Sequence, residues 1–211
     1  MSQAMRQLQN TQQQLPLEFA DYHESIKITG FWIFLTTDLV LFACLFATFA
    51  VMRYDYANGP MPIHLFKMGP LILETALLLT SSFTCSLAIY QSRNQNKRAL
   101  LSWLILTIVL GMGFVGTEIH EFVSYVSLGA TWHKSGFLSA FFTLVGTHGT
   151  HVTFGILWAI TLVAQLMKRG ITARTSRKLY TFALYWHFLD IVWVFIFSFV
   201  YLSNMTGGKI G

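Results

Sequence analysis

The chain has 211 residues, 54% of them hydrophobic and only 11% charged, against roughly 45–50% apolar and about 25% charged in soluble domains. A water-surrounded core cannot absorb that much apolar surface, which excludes a soluble enzyme or binding module and, in the absence of any long Gly/Ser or charged linker, points to one membrane domain. The net charge of +5 is no nucleic-acid signature: no basic cluster is interleaved with aromatics in a loop, and basic residues of membrane chains gather in cytoplasmic loops.

Residues 1–25 are rich in Gln and lack a basic stretch followed by an apolar one, so no cleavable signal peptide is visible and the first span acts as the insertion signal. This tail reads as a flexible cytoplasmic arm. A span requires about 20 mainly apolar residues to cross a hydrocarbon layer of about 30 Å. Five segments meet that requirement, 28–53, 69–91, 99–127, 135–167 and 179–203, giving an all-α bundle over 26–205 with a short periplasmic tail at 206–211. Between the first two spans Asn58, Gly59, Pro60 and Pro62 forbid a continuous helix, and 94–98 and 168–178 form compact basic connections.

The loops carry their charge asymmetrically. With the N-terminus inside, Arg6, Lys27, Arg93, Lys97, Arg98, Lys168, Arg169, Arg174, Arg177 and Lys178 are cytoplasmic, whereas only Arg53, Lys67, Lys134 and Lys209 face out. The positive-inside rule and an odd number of spans therefore place the N-terminus in the cytoplasm and the C-terminus in the periplasm. Tyr54, Tyr56, Tyr90, Trp103, Trp132 and Tyr201 fit an interfacial aromatic belt. Cys44 and Cys85 stand alone in apolar runs, which suits small packing residues rather than a disulfide or a zinc site.

The chemistry-bearing residues are those that lipid penalises. Asp38, Glu74, Glu118, Glu121 and Asp190, with His120, His148, His151 and His187, fall within or at the rim of the spans, where such groups face protein, water or one another and mark a functional or subunit-contact surface. Residues three apart share a helix face, which pairs His148 with His151, His187 with Asp190 and Glu118 with Glu121. At about 1.5 Å per residue, Asp38, His187 and Asp190 reach mid-membrane, as do His148 and His151 from the other side, so the spacing predicts a buried polar layer from the first, fourth and fifth helices. That layer could be a bis-histidine haem site (His148 or His151 with His187), a metal enzyme with an open coordination position, a proton path, or a purely structural set of cross-helix pairs. Gly111, Gly113 and Gly116 form a G-x-G-x-x-G pattern, but inside an apolar span with no preceding strand it reads as a smooth face for close helix packing, as do Gly146, Gly149 and Gly155. Ser81, Ser82, Thr84 and Ser86 read as interhelical hydrogen-bonders.

The runs GFWIFLTTDLVLF from Gly30, GTEIHEF from Gly116, SGFLSAFF from Ser135, GTHGTHVTFG from Gly146 and YWHFLDIVW from Tyr185 resemble subunit III of haem-copper oxidases, over nearly the whole chain after the tail. Members of the mitochondrial kind have seven helices; the five-helix form, with its Gln-rich start and Glu74 in LILETALLL, is similar to the cytochrome bo-type (cytochrome o) ubiquinol oxidases of bacteria, with menaquinol oxidases as close relatives. The resemblance implies a chain without catalytic centre, haem or copper of its own, because the redox centres lie in subunits I and II. It implies the inner membrane, partner subunits I, II and IV, and a role in stabilising subunit I and its proton-uptake region during quinol oxidation coupled to oxygen reduction. Asp38 takes the place of the family's carbodiimide-reactive mid-membrane carboxylate, which is Glu in the mitochondrial type. Glu118, His148, His151, His187 and Asp190 match residues that hold helices together and line a phospholipid groove. Subunit III of a menaquinol or cytochrome c oxidase is the alternative, ahead of a free-standing His/Asp metalloprotein or a proton channel.

Overall fold

A computed structural model describes residues 22–53, 55, 68–131 and 133–202. The N-terminal arm before Tyr22, the Asn58–Pro62 turn, Tyr54, Tyr56, Trp132 and the C-terminal tail lie outside the described residues. Five helices fill the rest, α1 (Tyr22–Met52), α2 (Met68–Arg93), α3 (Lys97–Ser127), α4 (Gly136–Arg169) and α5 (Ala173–Ile196), and there is no strand among the described residues. Each contains a stretch long and apolar enough to cross a membrane. In hydrocarbon that choice is forced, since only a helix satisfies its own backbone N–H and C=O groups within one segment.

The helix ends are written in the local sequence. Gln95 takes the left-handed conformation at φ 58°, and Asn96 then caps α3 by accepting from Ala99 N at 3.3 Å. Ser135 caps α4 through Leu138 N at 3.2 Å, and the same end is tied to the α1–α2 connection by Phe137 N donating to Asp55 O at 3.1 Å. The fifth helix starts earlier than its apolar run predicts, at Ala173 rather than near 179. Thr172 and Thr175 form a reciprocal capping box there, which stabilises an N-terminus without apolar residues. The connection from α4 therefore shrinks to Gly170, Ile171 and Thr172.

α2 and α3 form an antiparallel hairpin, α4 packs on α3 and α5, α5 closes back on α2, and α1 lies against α4 and α5. Large apolar side chains such as Ile33, Val51, Phe83, Val123, Phe154 and Phe195 point outward, as expected of a bundle whose solvent is lipid. Where α5 ends, the chain widens into a π-helical turn, Phe197–Leu202. That turn brings Tyr201 inward, 1% exposed, against Phe141 and Trp193 at ring separations of 5.7 and 6.3 Å. Tyr201 is thus a core residue rather than part of the interfacial belt, whereas Tyr90 is exposed. Of the cysteines, Cys85 is buried and Cys44 exposed, both free thiols.

The glycines of α3 and α4 do what a side chain could not. A Cβ at Gly111 would lie 2.9 Å from Trp186 Cη2, and one at Gly155 would lie 2.8 Å from Trp186 Cζ3. The indole is held between two helix backbones. Gly116, by contrast, faces open space, so only part of the G-x-G-x-x-G pattern serves packing within this chain.

Candidate functional site

Three polar groups occupy the bundle interior, each built on a different pair of helices. Between α1 and α4, Asp38 is 8% exposed and lies within electrostatic reach of His151. His151 Nδ1 stands 2.7 Å from the Thr147 carbonyl one turn back, and Tyr185 of α5 donates to the His151 carbonyl at 3.0 Å. The spacing of His148 and His151 does set them on one face, because both rings meet Phe42 of α1, with centroids 6.3 and 5.2 Å away.

The second group joins α2 to α5. His187 Nδ1 is 2.7 Å from Ser82 Oγ and its Nε2 is 3.3 Å from Ser86 Oγ, while the Asp190 carboxylate stands 3.7 Å from Nδ1, one turn along. Two more pairs fasten the same interface: Trp186 Nε1 donates to Ser81 Oγ at 3.0 Å and Trp193 Nε1 to Thr75 Oγ1 at 3.1 Å. Thr84 meets Thr107 of α3 at 2.8 Å. The hydroxyl ladder of α2 is therefore a set of interhelical bonds, as its composition suggests. Replacing Ser82 with Ala should weaken the α2–α5 contact by only about 0.6 kcal/mol, the typical value of an interhelical hydrogen bond in a membrane protein. Steric-trap unfolding of the subunit in bicelles would check it, and a loss several times larger would mean that His187 has no other partner to turn to.

The third group gathers the carboxylates of α2 and α3. Glu74, Glu118 and Glu121 are all buried and within electrostatic reach of one another. Tyr125 donates to Glu121 Oε2 at 3.0 Å. Glu74 lies beside Thr117, whose hydroxyl also donates to the carbonyls of Gly113 and Phe114 at 3.2 and 2.8 Å. Glu118 lies against the backbone of α4 at Gly149. His148, fully buried, is enclosed by Phe114 and Trp193, at ring separations of 5.9 and 5.4 Å, and neither of its nitrogens has a hydrogen-bond partner among the described residues.

This arrangement corrects the expected layer of helices one, four and five. His187 and Asp190 turn to α2 rather than to α1 or α4, and α2 and α3 supply the densest acidic group, through Glu74, Glu118 and Glu121. A bis-histidine haem does not fit these side chains: both nitrogens of His187 face the α2 serines, and His148 is walled in by aromatic rings. Among the described residues no three His, Cys, Asp or Glu side chains are placed to hold a metal. Tyr125, Tyr185 and the indoles of Trp186 and Trp193 are the polar partners that spacing arguments missed. Their signal was present, since a buried Tyr or Trp needs a partner for its polar tip.

The family model described as cytochrome c oxidase subunit III matches residues 19–205. A quinol oxidase subunit 3 of Bacillus spizizenii is 50% identical over 192 residues, covering 91% of this chain and 94% of the relative, and that of Bacillus subtilis is 49% identical with the same coverage. A cytochrome c oxidase subunit 3 of a Bacillus strain, PS3, is 48% identical over 181 residues, 86% of this chain and 87% of the relative. With a family match across nearly its whole length and full-length relatives at half identity, the chain belongs to the cytochrome c oxidase subunit III family.

Proposed function

We propose that this chain is the third, non-catalytic subunit of a proton-pumping haem-copper quinol oxidase, spanning a bacterial inner membrane five times with its N-terminus in the cytoplasm and its C-terminus in the periplasm. The observation that carries this reading is near-identical length and 49–50% identity to two proteins named quinol oxidase subunit 3. Its partners are subunits I, II and IV, with haem and copper held by the partners. Asp38, Glu74, Glu118, Glu121, His148, His151, His187 and Asp190 fix the packing of the five helices and border the lipid groove, so that the bundle braces subunit I beside its proton entrance.

Removing the subunit from the purified complex should leave an initial rate of quinol oxidation close to that of the intact enzyme, followed by a progressive loss of activity over successive turnovers. Immediate loss, with haem and copper spectra intact, would overturn the bracing role. A cytochrome c oxidase is the second reading, favoured by the 48% identity to the protein of the PS3 strain. Assaying the tagged complex with ubiquinol, menaquinol and reduced cytochrome c separates the three donors, ubiquinol being the one that the resemblance to cytochrome bo-type oxidases implies.

A further inference from the structure

Two exposed stripes run side by side along the outer side of the α2–α5 seam. On α2 the stripe is Leu79, Phe83, Ser86 and Tyr90, all exposed, and on α5 it is His187, partly exposed, with Ile191 and Val194, both exposed. Each recurs at steps of four and three residues, which keeps it on one helix face. The stripes adjoin at Ser86 and His187, where a polar point interrupts the apolar surface. At about 1.5 Å per residue, Ser86 stands about 10 Å in from Arg93 and His187 about 21 Å in from Ala173, so this point lies within the spans rather than at their ends.

The polar point is short of a donor. His187 Nδ1 faces Ser82 Oγ at 2.7 Å and the Asp190 carboxylate at 3.7 Å. With acceptors gathered on that side the ring proton sits on Nδ1, which makes Nε2 an acceptor. Ser86 Oγ approaches Nε2 at a long 3.3 Å, and the same hydroxyl stands 3.2 Å from the Ser82 carbonyl. A single proton thus faces two acceptors. The imidazole side chain is 35% exposed and Ser86 is exposed, so the shortage opens toward hydrocarbon, where an acceptor without a full donor costs free energy for as long as the subunit stays in the membrane. A resident donor removes that cost, whereas a diffusing molecule removes it only while bound.

We propose that the outer side of the α2–α5 seam is the seat of a transmembrane helix from a neighbouring oxidase subunit, and that this helix carries a hydroxyl, amide or indole donor opposite His187 Nε2. The inference rests on the reading of the chain as an oxidase subunit, and adds to it the face used and the chemistry that keys it. The large side chains of Leu79, Phe83, Tyr90 and Ile191, each at least half exposed, offer a third helix a packing surface with the spacing of a helix seam. The imidazole then sets the register, as one polar residue does in an otherwise apolar seam. A quinol headgroup would satisfy Nε2 and leave both stripes without a protein partner.

The test uses the intact complex in native membranes, with the photo-crosslinking residue p-benzoylphenylalanine in place of Phe83 or of Ile191 and mass spectrometry of the products. Both positions should capture the same transmembrane peptide of another subunit, with a Ser, Thr, Tyr, Asn, Gln or Trp at the crosslinked depth. His187→Leu should raise the dissociation constant of the subunit, measured by diluting the complex in mild detergent, about threefold, the value of one interhelical hydrogen bond. His187→Gln keeps an acceptor and should restore most of that loss. In both variants Trp186 with Ser81 and Trp193 with Thr75 still fasten α2 to α5, so the seam itself survives. Adducts with lipid alone, in a complex from which this subunit still co-purifies with the larger oxidase subunits, would overturn the seam as a contact and leave the functional reading standing; failure to co-purify would overturn both. A crosslink between two copies of this chain would make the seam a dimer contact, and an adduct with a quinone would make it a small-molecule site, either of which overturns the partner helix. A captured helix without a donor, or an unchanged dissociation constant in His187→Leu, would overturn the keying by Nε2.

Discussion

Trp186→Ala should destabilise the bundle by about 3–5 kcal/mol, the range for truncating a large buried side chain, and should lower the temperature at which the subunit leaves the complex. The reason lies in what surrounds the indole. It is 1% exposed, enters from α5, and rests on the backbones of α3 at Gly111 and of α4 at Gly155, while its Nε1 reaches Ser81 of α2 at 3.0 Å. One side chain therefore touches three other helices. Glycines have no side chains that could move into the space an alanine would leave, so the cavity cannot collapse cheaply, and between membrane helices it is packing that drives association. Trp186→Phe keeps most of the volume and forfeits the bond to Ser81; it should cost about 1 kcal/mol more than a neutral change. Thermal release of the subunit, followed by size-exclusion chromatography of the complex, measures both. If the alanine variant proves no worse than the phenylalanine one, the wedge is not what holds these helices.

The five helices were legible because lipid simplifies the problem: any run of about 20 apolar residues must become a helix. The beginning of α5 was misread at 179 because hydropathy locates the apolar run, while Ala173–Lys178 is a polar, capped extension of it. The interior was harder. Spacing along one helix put His187 with Asp190 and His148 with His151, and those relations are local. Which neighbouring helix each pair meets depends on how the helices rotate about their axes, and period alone does not fix that. Gly111 and Gly155 did carry the information, since both mark where Trp186 must lie, but a glycine gives no hint of the residue that fills its place. Tyr201 shows the same limit, because a π-helical turn resets the face on which a side chain emerges.

Gly149→Ala should destabilise the subunit, by about 1–3 kcal/mol for an overpacked site, whereas Gly116→Ala in the isolated subunit should be neutral or stabilising by up to about 1 kcal/mol, the ordinary advantage of alanine in a helix. The opposite signs follow from what each added methyl would meet. At Gly149 it would collide with the Glu118 carboxylate, whose Cδ is 2.7 Å from the Cβ position, and at Gly116 it would meet nothing within 4 Å. The carboxylate cannot simply step aside, because Glu118 is buried beside Glu74 and Glu121. Combining Gly149→Ala with Glu118→Ala should therefore recover much of the loss, with a coupling of about 1–3 kcal/mol between contacting sites. Unfolding free energies of the four members of this cycle, measured by steric trapping in bicelles, decide the matter. Additive losses would mean that Glu118 does not rest on the α4 backbone and that the acidic group of α2 and α3 is oriented away from His148. Strong coupling would mean that a glycine is required at position 149 so that a carboxylate can stand between α3 and α4, where it fixes the spacing of the two helices.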